Sequence, residues 1–434
     1  MLGYFKKSPP VSPAGTKLEQ QTKYRRLKWQ VFLSATIGYG LYYVCRLSLN
    51  VVKKPIVDSG VLTESQLGIV GSALFFSYAV GKFTNGFLAD HSNIRRFMSF
   101  GLLVSALANL AMGFTGVFLF FAICWGVNGW VQSMGAPSSV VSLSRWYTDK
   151  ERGSFYGFWS TSHNIGEALT YILTAVVASY FGWQWGFRSA ALIGIFGAVL
   201  IFMFFHDSPE SKGLSPVNPE TVTKKTTTWG EQKLALKNPY IWLLALSSGF
   251  MYISRYAVNS WGPYYFEAAK GYTLTEANSL VAISAVCGIL GTASSGFISD
   301  KFFKGHRNMP ALLYGLMNVL GLSLFLLGPK GLWWIDALSM VIFGLAIGAL
   351  ICYLGGLMAV DIASKKASGA ALGMVGIMSY AAAGIQDIAS GFLIEGNKSV
   401  VNGETLYDFS SITIFWIGAA VLSVVFALFT WKKT

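Results

Sequence analysis

Long apolar segments alternate with short polar ones along almost the whole chain. Uncharged stretches cover residues 97–144, 189–205, 308–329, 337–360 and 410–431. Each is near or above the roughly 20 residues that a helix needs to cross a hydrocarbon core about 30 Å thick. When apolar segments interrupted by single charges are added, the pattern predicts twelve membrane-spanning helices, centred near residues 40, 77, 105, 129, 167, 196, 251, 287, 318, 346, 380 and 421.

The composition agrees with a protein that resides in a lipid bilayer. Of the 434 residues, 53% are hydrophobic and only 12% are charged, and the mean hydropathy is +0.50. These values exclude a soluble protein of ordinary composition. The polar start of the chain has no apolar core before Trp29, so we expect no cleavable signal peptide. The four cysteines fall in apolar segments without paired spacing, which indicates neither a disulfide framework nor a metal site.

Positive charge is distributed unevenly among the polar connections. If the spans alternate in direction, 24 of the 33 lysines and arginines lie on the side that carries both termini, and six lie on the other side. The remaining three, Arg46, Lys82 and Arg255, fall inside spans. Cytoplasmic loops of membrane proteins are enriched in Lys and Arg, so we predict that both termini are cytoplasmic. The bias also accounts for most of the net charge of +13, so nucleic acid is not an expected partner.

Short motifs recur about half a chain apart. YVCR at 43–46 returns as YISR at 252–255, an offset of 209 residues. GFLAD at 86–90 returns as GFISD at 296–300, an offset of 210 residues. Because two unrelated motifs share nearly the same offset, the chain is predicted to contain an internal repeat of six spans.

The repeat defines the predicted domain organisation. Residues 1–28 form a cytoplasmic tail, 29–206 an N-terminal six-helix bundle and 207–237 a polar cytoplasmic linker. Residues 238–434 form a second six-helix bundle with a short cytoplasmic tail. The expected fold class is therefore an all-α polytopic membrane protein made of two pseudo-symmetric bundles. Transporters use parallel repeats of this kind, with the substrate site near the middle of the membrane where the halves meet.

Arg46 and Arg255 are the strongest candidates for a binding site. A charged side chain in the middle of a span is costly, and it usually faces the bundle interior or a wet cavity. One arginine from each half would converge at the repeat interface, and guanidinium groups bind phosphate oxygens in a bidentate manner. The alternatives are snorkelling to the membrane surface or structural ion pairs with Glu167 and Asp387.

The second repeated motif predicts a conformational element on the cytoplasmic side. Its glycine allows a neighbouring helix to approach closely. The aspartate and the following basic residues can pair there and stabilise one closed state. The residues concerned are Gly86, Asp90, Arg95 and Arg96 in the first half, and Gly296, Asp300 and Arg307 in the second.

Several longer motifs resemble one known family. They are GYGLYYVCR (38–46), GWVQSMGAP (129–137), DKERGSFYGFWSTSHNIG (149–166), DSPESKGL (207–214) and YISRYAVNSWGPYY (252–265). On these motifs the chain resembles the major facilitator superfamily, and within it the organophosphate:phosphate antiporters. That family includes bacterial glycerol-3-phosphate and hexose-6-phosphate carriers and a related hexose-phosphate sensor. The resemblance implies twelve spans in two six-helix bundles.

The resemblance also implies roles for individual residues. Arg46 and Arg255 match the arginines that hold the phosphate group, and His163 matches a substrate-site histidine in an SHN or AHN motif. Lys82 matches a lysine that adds positive potential to the cavity, or alternatively it neutralises Glu167 or Asp387.

Further pocket candidates come from residue chemistry and from departures from the family pattern. Ala285 stands where relatives often have a glutamate, and Glu167 stands where small residues are common. These differences leave the choice of substrate open. A tyrosine offers a hydrogen-bond donor on an apolar body, although for any single aromatic residue plain packing is the alternative. The additional candidates are Tyr39, Tyr42, Tyr43 and Gln132 for the sugar hydroxyls or the phosphate rim, Trp261 at the cavity mouth, and Glu167 and Asp387.

The sequence therefore predicts a secondary transporter in a bacterial inner membrane, which exchanges a hexose 6-phosphate such as glucose 6-phosphate for inorganic phosphate by alternating access. Three alternatives stay open: a glycerol-3-phosphate:phosphate antiporter, a carrier for another organic anion, and a transporter-like sensor that signals to a membrane kinase. No phosphate-binding glycine loop or nucleophile motif is present in the sequence, so an enzyme is not expected. We expect a monomer that needs no cofactor.

Overall fold

The computed structural model describes residues 3–13, 15–217, 233, 236–363 and 367–431. Part of the predicted linker and the last three residues of the predicted C-terminal tail lie outside the described residues. The described chain is almost entirely helical, with one short β-hairpin.

The first half forms eight helices that make up six spans. They are α1 Lys17–Asp58, α2 Glu64–His91, α3 Ile94–Met112, α4 Phe118–Gln132, α5 Gly135–Trp146, α6 Asp149–Ser160, α7 Ser162–Phe181 and α8 Trp183–Phe204. Because α1 begins at Lys17, residues 17–28 of the predicted tail are already helical. Thr16 caps this helix: its side chain accepts a hydrogen bond from the Glu19 amide, and the Glu19 side chain accepts one from the Thr16 amide, which is a capping box.

The second half repeats the arrangement in seven helices. They are α9 Pro239–Lys270, α10 Leu274–Phe302, α11 Asn308–Leu327, α12 Trp333–Cys352, α13 Met358–Ile362, α14 Ser368–Gly396 and α15 Ser410–Leu428. A hairpin that the sequence analysis did not include precedes α15, with β1 (Lys398–Val401) paired antiparallel to β2 (Glu404–Tyr407). Asn402 and Gly403 between the strands have φ angles of 53° and 85°, as a two-residue hairpin turn requires.

The predicted fold class is confirmed, because all twelve predicted span centres fall within helices. The fourth span divides into α4 and α5, and the fifth divides into α6 and α7. The tenth consists of α12 and α13 joined by a π-helical turn at Tyr353–Leu357. Within the described chain, nine helices or joined helices are long and apolar enough to cross a membrane, and the other three spans are α1 and the divided fourth and fifth spans.

The molecule has two ends, which we name by their connections. The linker end carries the described tail residues 3–13 and the segment 205–217, whereas the far end carries the turn 59–63 and the hairpin 398–407. Three helix pairs meet across the boundary between the halves: α1 with α9, α2 with α14, and α7 with α10.

Buried hydrogen bonds repeat between the halves. In the first half, the Ser48 hydroxyl in α1 donates to the Asn109 side-chain oxygen in α3 at 2.5 Å. In the second half, the Ser254 hydroxyl in α9 donates to the Asn318 side-chain oxygen in α11 at 3.1 Å. The first and third spans of each half are thus joined by the same pair of residue types, which supports the internal repeat at the level of side-chain contacts.

Glycines let several helices approach at backbone distance. A Cβ atom at Gly166 in α7 would lie 2.2 Å from the Gly40 carbonyl oxygen in α1. In the second half, a Cβ atom at Gly348 in α12 would lie 2.2 Å from the Gly288 carbonyl oxygen in α10. Small residues serve this purpose in membranes, where helix association depends on close van der Waals contact.

We expect the substitution Gly166→Ala to lower the apparent melting temperature of the purified protein in detergent. The added methyl group meets backbone, so α1 and α7 must separate, and overpacking of this kind costs about 1–3 kcal/mol. Gly418→Ala in α15 is the matched control, because no heavy atom of the described chain lies within 4 Å of a Cβ atom there. Equal melting temperatures for the two variants would contradict the close contact between α1 and α7.

Candidate functional site

Arg46 in α1 and Arg255 in α9 both lie near Tyr256, at the boundary between the halves. Their exposed fractions are only 3% and 6%. An Nη2 atom of Arg46 donates to the Tyr256 hydroxyl of the other half at 3.4 Å. The two predicted phosphate-binding arginines are therefore buried close to the same point of the interface, one contributed by each half.

Arg46 is surrounded by tyrosine rings. Its guanidinium carbon lies 4.2 Å from the ring centre of Tyr78, 5.5 Å from that of Tyr43 and 5.6 Å from that of Tyr380. Aromatic faces attract cations, but only moderately. Among the described residues, no carboxylate lies within ion-pair distance of this guanidinium. The charge of Arg46 is thus left without an anionic partner in the described part of the protein.

Arg255 has a carboxylate nearby, although at long range. A terminal nitrogen of Arg255 lies 3.9 Å from Glu167 Oε2 in α7. The other carboxylate oxygen, Oε1, accepts a hydrogen bond of 2.5 Å from the side-chain amide of Asn259. Glu167 is 3% exposed. In the described chain, Arg255 thus has one carboxylate at the limit of ion-pair distance and Arg46 has none, so the site keeps an excess of positive charge.

His163 and Lys82 border the arginines. The His163 ring lies 5.6 Å from the Tyr43 ring, and its Nδ1 atom forms a hydrogen bond with the Ser160 carbonyl oxygen. The Lys82 side chain is exposed, and its Nζ atom lies 5.5 Å from the ring centre of Tyr380. Lys82 lines a cavity of about 230 Å³ with α14 residues including Gly376, on the linker-end side of the arginines.

Asp387 has a different partner from the one that we considered. Its Oδ1 atom lies 3.0 Å from the Nζ atom of Lys53 in α1, and both side chains have no exposed surface. The alternative in which Lys82 neutralises Asp387 or Glu167 is therefore wrong. Lys53 is one of the six basic residues predicted to lie outside the spans, on the side opposite the termini. It is instead buried seven residues beyond Arg46, on the same face of the helix.

Trp261 belongs to this buried group rather than to a cavity mouth. The Trp261 ring nitrogen and the Ser260 hydroxyl each donate to Asp387 Oδ1 at 2.6 Å. Trp261 itself has no exposed surface. Lys53, Ser260, Trp261 and Asp387 thus form a buried polar network that joins the halves between the arginines and the far end.

Two predicted pocket residues are directed into the first half instead. The Tyr42 hydroxyl donates to the Met98 carbonyl oxygen at 2.6 Å. The Gln132 amide donates to the Tyr42 carbonyl oxygen at 2.9 Å and to the Ser105 hydroxyl at 2.7 Å. A helix turns about 100° per residue, so Tyr42 cannot face the interface in the same direction as its neighbour Tyr43. Their contacts identify Tyr42 and Gln132 as packing residues of the first half.

Tyr39 lies near the interface, but its ring packs against other aromatic rings. It stacks on Trp159 with 4.9 Å between ring centres, and its edge meets the Tyr43 ring at 5.6 Å. Of the four predicted rim residues, only Tyr43 lies within cation–π distance of a predicted phosphate-binding arginine.

The repeated motif on the linker side pairs as expected in one half only. In the second half, Arg307 donates to Asp300 Oδ1 at 2.8 Å. In the first half, Arg95 donates to the Phe202 carbonyl oxygen and Arg96 donates to that of Tyr4 at 2.9 Å.

In the first half, the carboxylate of Asp207 forms an ion pair on the linker side. Its Oδ1 atom accepts from Arg145 at 2.6 Å and its Oδ2 atom from the Ser8 amide at 2.9 Å. Arg145 also reaches Asp90, at 3.4 Å, but only its backbone carbonyl oxygen. The expected pairing of the Asp90 carboxylate with Arg95 or Arg96 is therefore wrong for this conformation, because these arginines bind backbone oxygens of the tail and of α8.

Helices α2 and α14 are in contact at the far end and separate at the linker end. A Cβ atom at Gly68 would lie 2.5 Å from the Asp387 carbonyl oxygen, and one at Gly391 would lie 2.4 Å from that of Glu64. Towards the linker end, no heavy atom of the described chain lies within 4 Å of a Cβ position at Gly373. Helices α2 and α14 are thus in close contact at the far end and lose this contact at Gly373, towards the linker end.

The predicted motif glycines make no close helix contact. At Gly86 and Gly296, both towards the linker end, a Cβ atom would meet no heavy atom of the described chain within 4 Å. The close helix approach expected at these glycines is therefore not formed in this conformation.

The β-hairpin reinforces the closed far end. Glu64, the first residue of α2, has no exposed surface and accepts a hydrogen bond of 2.6 Å from Lys398 in β1. The hydroxyls of Tyr264 and Tyr407 donate to its other oxygen at 2.8 Å and 3.1 Å. A buried carboxylate of the first half is thus satisfied entirely by groups of the second half.

Two asparagines of the site were missed by the sequence analysis. The Asn50 amide donates to the Asn259 carbonyl oxygen at 3.0 Å, and the Asn259 amide binds Glu167. Each stands four residues after an arginine, in RLSLN and RYAVN. One helical turn brings such a residue onto the arginine's face, so the repeated spacing was a signal that could have been used.

A pair of helical bundles that closes at one end around buried charged residues is the architecture of an alternating-access membrane transporter. The chain belongs to the major facilitator superfamily, whose sequence model matches residues 35–387. It is accordingly a multi-pass membrane transport protein and not an enzyme.

Curated relatives lie in the organophosphate branch. The probable hexose phosphate transport protein of Chlamydia pneumoniae is 33% identical, over 82% of this chain and 83% of its own length. The membrane sensor protein UhpC of Salmonella typhimurium (strain LT2) is 32% identical, over 88% and 89%. The glycerol-3-phosphate transporter of Bacillus subtilis (strain 168) is 29% identical, over 100% and 98%.

Solved structures agree on the fold. A bacterial homolog of the human lysosomal transporter Spinster, in an inward-facing and occupied conformation, superimposes with a TM-score of 0.74 at 15% identity, covering 97% of this chain and 98% of that chain. The nucleoside transporter NupG also gives a TM-score of 0.74 at 15% identity, covering 94% of this chain and 100% of that chain.

We expect Asp387→Asn to open the far end. Removing one partner of a buried ion pair costs about 3–5 kcal/mol, and here the cost falls only on the conformation that buries Lys53. The measurement is the distance between spin labels at Val117 and Lys330, exposed far-end positions of opposite halves, in a chain whose four cysteines are replaced. The label distance should increase.

Asp58→Asn is the matched control for this experiment. It removes the carboxylate from another lysine–aspartate pair of α1, with Lys54, but Asp58 is 56% exposed. Exposed pairs contribute little, so the label distance should stay as in the parent chain. An unchanged distance in Asp387→Asn would mean that the buried network does not hold the far end closed.

Proposed function

We propose that this protein exchanges a hexose 6-phosphate, such as glucose 6-phosphate, for inorganic phosphate by alternating access. The observation that carries the proposal is the pair of buried arginines, one from each half, of which only Arg255 has a carboxylate within ion-pair distance in the described chain. A dianionic phosphate group supplies the missing negative charge, and its oxygens suit the planar guanidinium donors. The printed names of the relatives, which include hexose phosphate and glycerol-3-phosphate transporters, support the same class of substrate.

The excess positive charge also explains how the entry of a phosphate ester is coupled to the exit of inorganic phosphate. Two unscreened cations in a medium of low dielectric constant repel each other, so the halves resist closure around the arginines when the site is unloaded. A bound dianion bridges Arg46 and Arg255 and offsets this repulsion. Only the loaded protein then converts readily between its two open states, and each phosphate ester that enters is matched by a phosphate that leaves.

The neighbouring residues have supporting roles in this mechanism. Lys82 lines the cavity on the linker-end side, where its charge attracts anions towards the arginines. His163 lies beside Tyr43 and contributes a hydrogen bond to the bound phosphate. Closure around the ligand at the linker end is accompanied by opening of the far end, which requires separation of Lys53 from Asp387 and of Glu64 from Lys398.

The membrane orientation follows from the charge distribution. With the basic connections on the inside, the linker end and both termini are cytoplasmic and the far end is extracytoplasmic, in a bacterial inner membrane. The conformation described here then opens towards the cytoplasm. The protein works as a monomer, because the proposed site is formed by the two halves of one chain.

The test is phosphate exchange in proteoliposomes. Uptake of labelled glucose 6-phosphate should require internal phosphate, and Arg46→Lys and Arg255→Lys should each lower it by about tenfold or more, because lysine keeps the charge but loses the bidentate geometry. Arg188→Lys is the control: this arginine binds the Gly113 carbonyl oxygen within the first half and should be replaceable.

Other outcomes of this experiment separate the alternatives. Preferential uptake of glycerol 3-phosphate would identify that ester as the substrate. Ligand binding without flux would indicate a sensor that signals to a membrane kinase. Uptake unaffected by both arginine substitutions would overturn the site.

A further inference from the structure

A small cleft with five polar lining residues lies beside Arg255, between the two halves, and its remaining lining residues are apolar or glycine. The first half contributes Asn164 and Glu167 from α7, and the second half contributes Arg255 and Asn259 from α9 and Ser284 from α10. Its free volume is about 20 Å³, enough for one water-sized group. A single hydroxyl group fits this space, whereas a sugar ring does not.

Two polar atoms in the cleft have unused hydrogen-bonding capacity. The side-chain nitrogen of Asn164 is buried and has no hydrogen-bond partner within the described chain, and the residue is only 6% exposed. Glu167 Oε2 lies 3.9 Å from Arg255, which is beyond hydrogen-bonding distance. A buried donor without an acceptor is costly. Its retention in a cleft that Glu167 also lines indicates a place for a group that both donates and accepts.

The glycine at 288 leaves room for this amide. A Cβ atom there would lie 3.3 Å from the Asn164 side-chain oxygen. Ala285 lines the same cleft, opposite Glu167. Two positions at which this chain departs from the family pattern therefore meet at one cleft.

The two arginines have unequal surroundings. Both guanidinium groups lie near tyrosine rings, Arg46 near Tyr78 and Arg255 near Tyr256. Arg255 additionally borders the amide and carboxylate groups of the cleft. A phosphate ester has one charged end and one end that carries hydroxyls. Held between the arginines by its phosphate, it matches this asymmetry when its hydroxyl-bearing part points towards Arg255.

We propose that this cleft is a subsite for one carbon-bound hydroxyl group of the phosphate ester. The Asn164 amide donates to the hydroxyl oxygen, and the hydroxyl donates to Glu167 Oε2. This inference rests on the proposed function and deepens it, because inorganic phosphate has no carbon-bound hydroxyl to place there. The cleft thus distinguishes the ester from its counter-substrate. Sites built to bind a hydroxyl discriminate strongly against ligands that lack it.

The test measures ligand affinity by calorimetry on the purified full-length protein. The ligands are glucose 6-phosphate, its 1-, 2-, 3- and 4-deoxy analogues, glycerol 3-phosphate and inorganic phosphate. Asn164→Ala should weaken glucose 6-phosphate about tenfold more than inorganic phosphate, as expected for one buried hydrogen bond. One deoxy analogue should bind the parent protein about tenfold more weakly, and Asn164→Ala should not weaken that analogue further.

Asn278→Ala is the matched control. Asn278 in α10 is fully buried and also has one unpartnered side-chain atom within the described chain, but it does not line the cleft. It should affect ester and phosphate equally. The deoxy series on the parent protein needs no variant, so it remains decisive if a variant folds poorly.

The outcomes separate this inference from the proposed function. Equal losses for the ester and for inorganic phosphate in Asn164→Ala, or deoxy analogues that all bind like the parent sugar phosphate, would overturn the subsite alone. A parent protein that binds neither inorganic phosphate nor any ester would overturn the proposed function, and the subsite with it.

Discussion

Two buried guanidinium groups, of which only that of Arg255 has a carboxylate within ion-pair distance in the described chain, are the constraint around which this molecule is organised. An unpaired charge in a medium of low dielectric constant is costly, and tyrosine rings recover only part of that cost. Arg46 has rings and a hydroxyl around it, and Arg255 has Glu167 at 3.9 Å. The remaining positive charge is not matched by a carboxylate of the described chain. Under the proposed function, a phosphate dianion bound by both halves supplies the missing negative charge.

At the far end, by contrast, two lysines are paired with carboxylates of the protein itself. Lys53 pairs with Asp387 at 3.0 Å and Lys398 pairs with Glu64 at 2.6 Å, so both lysines have their own carboxylate. Both pairs cross between the halves and connect them at the far end. The charged groups at the interface therefore fall into two kinds. The two lysines each have a carboxylate in contact, whereas the two arginines have only one carboxylate, near Arg255, within ion-pair distance in the described chain.

The sequence was sufficient for the parts of this architecture that depend on local pattern. Hydrophobic segment length predicted twelve spans, and two charges at the same repeat position predicted Arg46 and Arg255 at one interface. Contacts between distant residues could not be derived in this way. Lys53 and Asp387 are 334 residues apart. From the sequence alone, Lys53 is interpreted as a surface charge, because the pattern does not show that this part of α1 is buried against the second half. Tyr42 and Tyr43 are adjacent, and only the neighbouring helices decide which of them faces the interface.

The internal repeat does not make the two arginine sites equivalent. Each half supplies an arginine followed four residues later by an asparagine, yet the two guanidinium groups have different surroundings. Perfectly symmetric halves would offer a ligand two equivalent ends. A phosphate ester has inequivalent ends. A site that selects it therefore needs different side chains in the two halves at the positions where the ligand extends beyond its phosphate. Glu167, whose carboxylate binds Asn259 at 2.5 Å, is such a divergence: it gives Arg255 a carboxylate neighbour in addition to tyrosine rings, whereas Arg46 has tyrosine rings and no carboxylate within ion-pair distance in the described chain.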